Sequence, residues 1–211
     1  MNNLLNDLTA LKNNLDNLPT INLCNLDLNK TDLFIIDLNN GFAKEGSLYS
    51  ERIKRLIKPI VDFTKLVSKD IKNIIAFTDC HTKESTELLT FPTHCIKDTL
   101  ECEIVDELKS IDNLKVIKKN STNGFFALES LNFDDIDNII IVGDCTDICI
   151  YQLAITLRSY FNQNNINKNI IVPMNLVDTY DIENIHPAKL LNIVFFNSMI
   201  QNGINVVKEI I

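Results

Sequence analysis

The heptapeptide GDCTDIC, Gly143 to Cys149, places two thiols four positions apart directly behind the apolar run Ile139 to Val142. Three chemistries are open to such a pair: redox exchange, half of a metal site, or a strand that ends at a nucleophile. Thioredoxin-like pairs have two residues between their cysteines, whereas Thr146, Asp147 and Ile148 intervene here. The apolar stripe Ile150, Leu153, Ala154, Leu157 and Phe161 begins at once, which puts Cys149 in the first helical turn, with Asp147 available as N-cap. Free N–H groups and the positive end of a helix dipole lower a thiol pKa there, as a nucleophile requires. Both cysteines also suit small buried positions in a tight turn.

A second cluster lies in FTDCHTKESTELLTFPTHC, residues 77–95. Asp79 and His81 stand two apart, so at a strand end they face the same way, and Glu87 and His94 follow. Oxygen and imidazole donors of this kind suit zinc, manganese or iron. Glu84 competes with Glu87 for the third ligand position. Two of the three histidines in the chain fall in this segment; the remaining one, His186, beside Pro187 at a helix entry, is assigned a structural role.

The elements that must position these groups alternate. Short apolar runs at Leu33–Ile36, Ile74–Phe77, Leu114–Ile117, Ile139–Val142 and Ile170–Met174 are separated by segments of helical period. This pattern predicts an α/β fold, a three-layer α/β/α arrangement around a central, mainly parallel sheet. Ser50 is placed to cap a helix whose stripe is Ile53, Leu56, Ile57, Ile60 and Val61, with Pro59 inside it; a later helix carries Leu191, Val194, Phe195 and Met199 between Pro187 and Gly203. Leucines 4, 5, 8, 11, 15 and 18 make residues 1–30 an appended amphipathic N-terminal helix. At 211 residues the chain is expected to form a single domain, 1–211.

Ligands of open parallel sheets sit beyond the carboxyl ends of the strands. In this chain those ends carry Asp37, then Asp79 and His81, then Lys118 and Lys119, then the heptapeptide. A carboxylate, a metal-ligand pair, an amine and a thiol thus converge. A net charge of −8 without a basic cluster argues against nucleic acid and anionic membrane as partners. The N-terminal stretch lacks the basic start and apolar block of a signal peptide, so the expected location is the cytoplasm and its six cysteines are expected to be free.

Three stretches together resemble the isochorismatase-like cysteine hydrolases, and within them the nicotinamidases. LFIIDLNNGF (33–42) is similar to the strand bearing the family's catalytic aspartate, VIKKNSTNGFF (116–126) to the segment of the catalytic lysine, and IIIVGDCTDICIYQL (139–153) to the nucleophile turn. The resemblance implies the isochorismatase-like hydrolase fold and a catalytic set of Asp37, Lys119 and Cys149. It further implies an oxyanion hole from the backbone N–H groups of Cys145 and Cys149, with a cis peptide at Asp144–Cys145. Phe42 and Phe91 match the aromatic residues that sandwich the substrate ring, and Asp79, His81, Glu87 and His94 match the metal ligands. Glu87 departs from the commonest family pattern, which has a third histidine. The implied activity is hydrolysis of nicotinamide to nicotinate and ammonia through a cysteine thioester, with one divalent ion, zinc ahead of manganese or iron. An amidohydrolase of the same superfamily acting on another small amide, carbamate or ureido compound, and a silent metal-binding protein on the same scaffold, are the alternatives. The expected partners are a small-molecule amide and further copies of the chain in a homo-oligomer.

Overall fold

The computed structural model describes residues 2–211; Met1 lies outside the described residues. The first helix, α1 (Asn2–Asp16), is shorter than the expected 1–30. Pro19 and the asparagine-rich stretch behind it explain the early stop. Asn22 and Asp27 cap single 3₁₀ turns by accepting from the backbone N–H groups of Cys24 and Asn29. Thr20–Ile21 then pairs in parallel with Glu209–Ile210, tying the two ends of the chain together.

Six parallel strands form the main sheet: β1 (Thr31–Ile36), β2 (Asn73–Asp79), β3 (Leu114–Lys119), β4 (Asn138–Asp144), β5 (Asn169–Pro173) and β6 (Asn205–Val207). Their spatial order is β3-β2-β1-β4-β5-β6, and the short strand Val177–Asp178 continues alongside the end of β4. Strand order therefore reverses between β1 and β4, the topological switch point at which such sheets bind ligands.

Alternation along β1 shows how both faces are covered. Leu33 and Ile35 enter one core with α2 (Glu51–Val67), while Phe34 and Ile36 enter the other with α3 (Tyr151–Gln163) and α4 (Ala188–Gln201). The three-layer architecture is as expected. Ser50 caps α2 by accepting from Arg52 N, and Pro59 lies within the helix without ending it.

The stripe expected on α4 is displaced: its buried residues are Ala188, Phe196, Asn197 and Met199, and Val194 is exposed. Its polar residues, Lys189, Asn192, Asn197, Ser198 and Gln201, are spread around the helix, so periodicity could not pick its inner face. It packs against α1, where Leu15 is buried and Asn197 Nδ2 donates to Leu11 O, leaving Leu4 and Leu5 exposed. No helix among the described residues is long and apolar enough to cross a membrane.

Candidate active site

Asp37, Asp79, Lys119 and the nucleophile turn sit at the carboxyl ends of strands around the switch point, while Phe42, Glu87, Phe91 and His94 lie on the segments that follow β1 and β2. Asp37 follows β1 with φ of 54°, a left-handed conformation that aspartate tolerates better than most residues. Its N–H donates to Phe77 O, which fixes the turn against β2. Gly143, paired with Ile36 in the neighbouring register, has φ of 116°, and a Cβ there would lie 2.0 Å from Ile36 O. Only glycine lets β4 approach β1 this closely, directly between Asp37 and the nucleophile turn.

Alternation on β3 separates the two lysines. Lys118 is exposed, while Lys119 is buried with Nζ 2.8 Å from Asp37 Oδ2 and hydrogen-bonded to Asp79 Oδ1. Burial works against the ammonium, but Asp37, Asp79 and Cys149 outweigh it and hold its pKa well above the usual value. For Asp37, burial and the Asp79 carboxylate push the pKa up to about 7, against the opposing pull of Lys119 and the Cys149 thiol.

The heptapeptide departs from one expectation. Residues Thr146–Ile150 form a single π-turn leading into α3, and the cap position is Cys145 with no side-chain bond. Asp147 caps nothing; its two oxygens accept from Thr179 Oγ1 and pair with His186. Cys149 is buried, and desolvation raises its thiol pKa well above the ordinary value despite Lys119, with Asp37 and Asp79 adding to the rise. The helix terminus thus does not supply a standing thiolate. The resting thiol must give its proton to a neighbouring base, and Asp37 lines the same cavity. The Asp144–Cys145 peptide is cis, as the family resemblance implied.

Asp79, His81, Glu87 and His94 gather with one ligand atom each, all within 4.8 Å of one another. Nε2 of His81 and of His94 each lie 3.6 Å from Asp79 Oδ2, and Nε2 of His81 lies 3.7 Å from Glu87 Oε1. Both histidines turn Nδ1 toward oxygen acceptors, His81 toward Asn120 Oδ1 at 3.0 Å and His94 toward Pro92 O at 2.7 Å. Protons on Nδ1 leave both Nε2 lone pairs facing the centre of the cluster, the arrangement by which outer hydrogen bonds orient metal-binding imidazoles. Nε2 of His81 is sealed from solvent and has no hydrogen-bond partner. A divalent cation fits this donor set, and Glu87, rather than Glu84, completes it. Glu87 is itself held by Thr122 N–H at 2.9 Å.

Asp37 and Cys149 line one cleft with Asp79, Glu87 and His94, together with Phe42, Phe91, Asp144, Cys145 and Tyr180, while Lys119 lies buried behind it. Phe42 and Phe91 both approach His94, with ring centroids 5.6 and 6.3 Å away. Sequence reasoning missed Asn120, Thr122, Asp144 and Tyr180. Asp144 was named only for its peptide bond; its side chain is buried, Oδ2 has no partner, and burial with Asp37 and Asp79 nearby keeps the acid well above the usual carboxylate range. The register of β4 could have placed Asp144 at the switch point, but no spacing signal marks the other three.

The isochorismatase domain model matches residues 31–203. A curated relative, nicotinamidase 1 of Arabidopsis thaliana, is 28% identical over 178 residues, covering 74% of this chain and 72% of that protein. Among solved structures, yeast nicotinamidase Pnc1p with bound nicotinaldehyde superposes with a TM-score of 0.71 at 17% identity over 85% of this chain and 100% of that one. N-carbamoylsarcosine amidase from Thermoplasma acidophilum does so with 0.68 at 19% identity over 84% and 95%. These structures share the fold. With the family model spanning most of the chain and the same sheet beneath the site, this protein belongs to the isochorismatase family of hydrolases.

Proposed function

We propose that the protein is a metal-dependent nicotinamidase that hydrolyses nicotinamide to nicotinate and ammonia. The observation that carries this is the shared cleft: Asp37 and Cys149 open onto the same space as the metal-binding carboxylates and histidine, and Lys119 ties the two groups together through Asp37 and Asp79.

Asp37 accepts the Cys149 thiol proton as the sulfur attacks the amide carbon, and the Lys119 ammonium stabilises the charge on both. Backbone N–H groups of Cys145 and Cys149 receive the oxyanion, donors of a kind worth about 2.7 to 4 kcal/mol each. The C–N bond then breaks, the Asp37 proton passes to the departing nitrogen, and ammonia leaves a thioester on Cys149. A water molecule, giving a proton to Asp37, attacks the thioester carbon; the C–S bond breaks, the acid departs and the thiol is restored. Asp79, His81, Glu87 and His94 would hold the ion, which would supply Lewis-acid chemistry beside the substrate. Phe42 and Phe91 flank the space beside it.

A second reading, hydrolysis of another small amide, carbamate or ureido compound, draws on Asp144. A buried carboxyl in the wall whose Oδ2 has no partner suits a substrate with an additional polar group beside the scissile bond. Ammonia release from purified protein, measured with nicotinamide and with a panel of small amides before and after chelation, separates the two. Nicotinamide turnover that chelation abolishes and metal restores supports the first; turnover confined to ureido or carbamate substrates refutes it.

A further inference from the structure

Beside the cleft, on the side away from the metal ligands, the segment 177–187 crosses the end of the sheet and brings Tyr180 into the wall next to Cys145, Ile148 and Cys149. This segment is strapped down from three directions. Arg52 of α2 donates from Nε to Thr179 O at 3.0 Å and from its terminal nitrogen to Asp178 Oδ1 at 2.6 Å. Asn192 of α4 donates to the same Asp178 oxygen at 2.9 Å. The third attachment runs to the nucleophile turn itself: Asp147 accepts from Thr179 Oγ1 at 2.6 Å and meets His186 Nε2 at 2.8 Å.

His186 is at the centre of the third attachment. Its Nδ1 faces Tyr180 O at 2.9 Å, and its Nε2 faces a carboxylate. The imidazole thus bridges the Tyr180 carbonyl and the Asp147 carboxylate. The same ring stacks on Tyr180, with centroids 3.7 Å apart and planes 16° from parallel. The backbone reinforces this: Ile182 and His186 exchange both N–H···O bonds, closing the loop that presents the imidazole.

We propose that His186 is a positioning residue. By clamping Asp147 of the nucleophile turn to the carbonyl and ring of Tyr180, it sets the spacing between Cys149 and the wall that the substrate meets. Tyr180 is the specificity-determining contact that the clamp holds in place. Two separable functions follow: the bond to Asp147 aligns the nucleophile, and the stack aligns the wall.

The role of the clamp in turnover rests on the amidase reading above, so the test has one kinetic and one structural arm. A misplacement of the order of 1 Å can cost about 100-fold, and His186→Ala is expected to lower kcat/KM for the best amide by about that factor through both kcat and KM. His186→Gln keeps an amide donor where Nε2 stood but loses the stacked ring. It is expected to recover kcat to within about threefold of wild type while KM stays raised, and Tyr180→Ala is expected to raise KM alone. A His186→Ala enzyme with unchanged kcat and KM overturns the proposal, as does a Gln variant that recovers neither or both. The second arm needs no turnover. Crystal structures are expected to show the Tyr180 ring displaced in His186→Gln, and both that ring and the Asp147 side chain displaced in His186→Ala. Tyr180 unmoved in either variant, or Asp147 unmoved in His186→Ala, overturns the clamp whether or not any amide is hydrolysed. Absent turnover with both structural results as expected refutes the amidase reading and leaves the clamp standing.

Discussion

The ammonium of Lys119 lies 2.8 Å from Oδ2 of Asp37, with both side chains sealed from solvent. Since the same ammonium also donates to Asp79, a single cation neutralises the proposed general base and a proposed metal ligand. Removing one member of a buried charge cluster leaves the others uncompensated, at about 3 to 5 kcal/mol. Lys119→Met is therefore expected to lose about that much stability in urea unfolding and to lack measurable amidase activity. A variant as stable as wild type would contradict the shared role.

Asp37 must be ionised to take a proton, and its pKa is raised to about 7, by burial first and the Asp79 charge second. The active form therefore accumulates as pH rises. Below that value kcat/KM is expected to fall by about tenfold per pH unit, following the ionised fraction of the base. A cation among the metal ligands offsets the Asp79 charge, so metal loading is expected to move this limb to lower pH. Profiles recorded on metal-free and reconstituted enzyme check the position and the direction together.

The two cysteines of the heptapeptide have different expected roles, one through its sulfur and one through its backbone. Cys149→Ala is expected to lower kcat by about 10⁴-fold or more, as loss of a nucleophile does. Cys145→Ala keeps the N–H and is expected to stay within about threefold of wild type. Ammonia release by the two variants, with circular dichroism to show that both are folded, distinguishes them.

Gly143 is where backbone geometry and chemistry meet. Alanine there combines a φ of 116° with a Cβ 2.0 Å from Ile36 O, so β4 must move away from β1. A loss of about 3 to 5 kcal/mol is expected from a substitution at such a position. Activity should fall further than stability alone explains, because the shift separates Asp37 from Cys149.

Asn120 tests the metal site from outside. It holds His81 through Nδ1, and losing such an outer hydrogen bond typically weakens metal affinity by about 10- to 100-fold. Asn120→Ala is expected to show that change in a competition assay with a chromophoric chelator while its melting temperature without metal is unchanged. Equal affinity would remove Asn120 from the site.

The sequence alone determined the layered α/β architecture, because strands buried on both faces must be continuous apolar runs, and each run here is followed by a segment of different period. It also determined which strand ends carry reactive groups, since a strand end is marked where apolar character stops: Asp37 after Ile36, Lys119 after Ile117 and Lys118, Cys149 behind Gly143. The tertiary structure alone decided what those groups are to one another. Burial raises the Cys149 thiol where a helix terminus alone would lower it, and the parallel register of β1, β2 and β3 brought Asp37 beside Lys119 across 82 positions of chain. The inner face of α4 stayed hidden because its polar residues are spread around the helix and one of them, Asn197, is buried. Asp147 and His186 stayed hidden for another reason: a capping aspartate and a structural histidine look the same in sequence as a clamped ion pair, and only packing of the 177–187 segment against the nucleophile turn tells them apart.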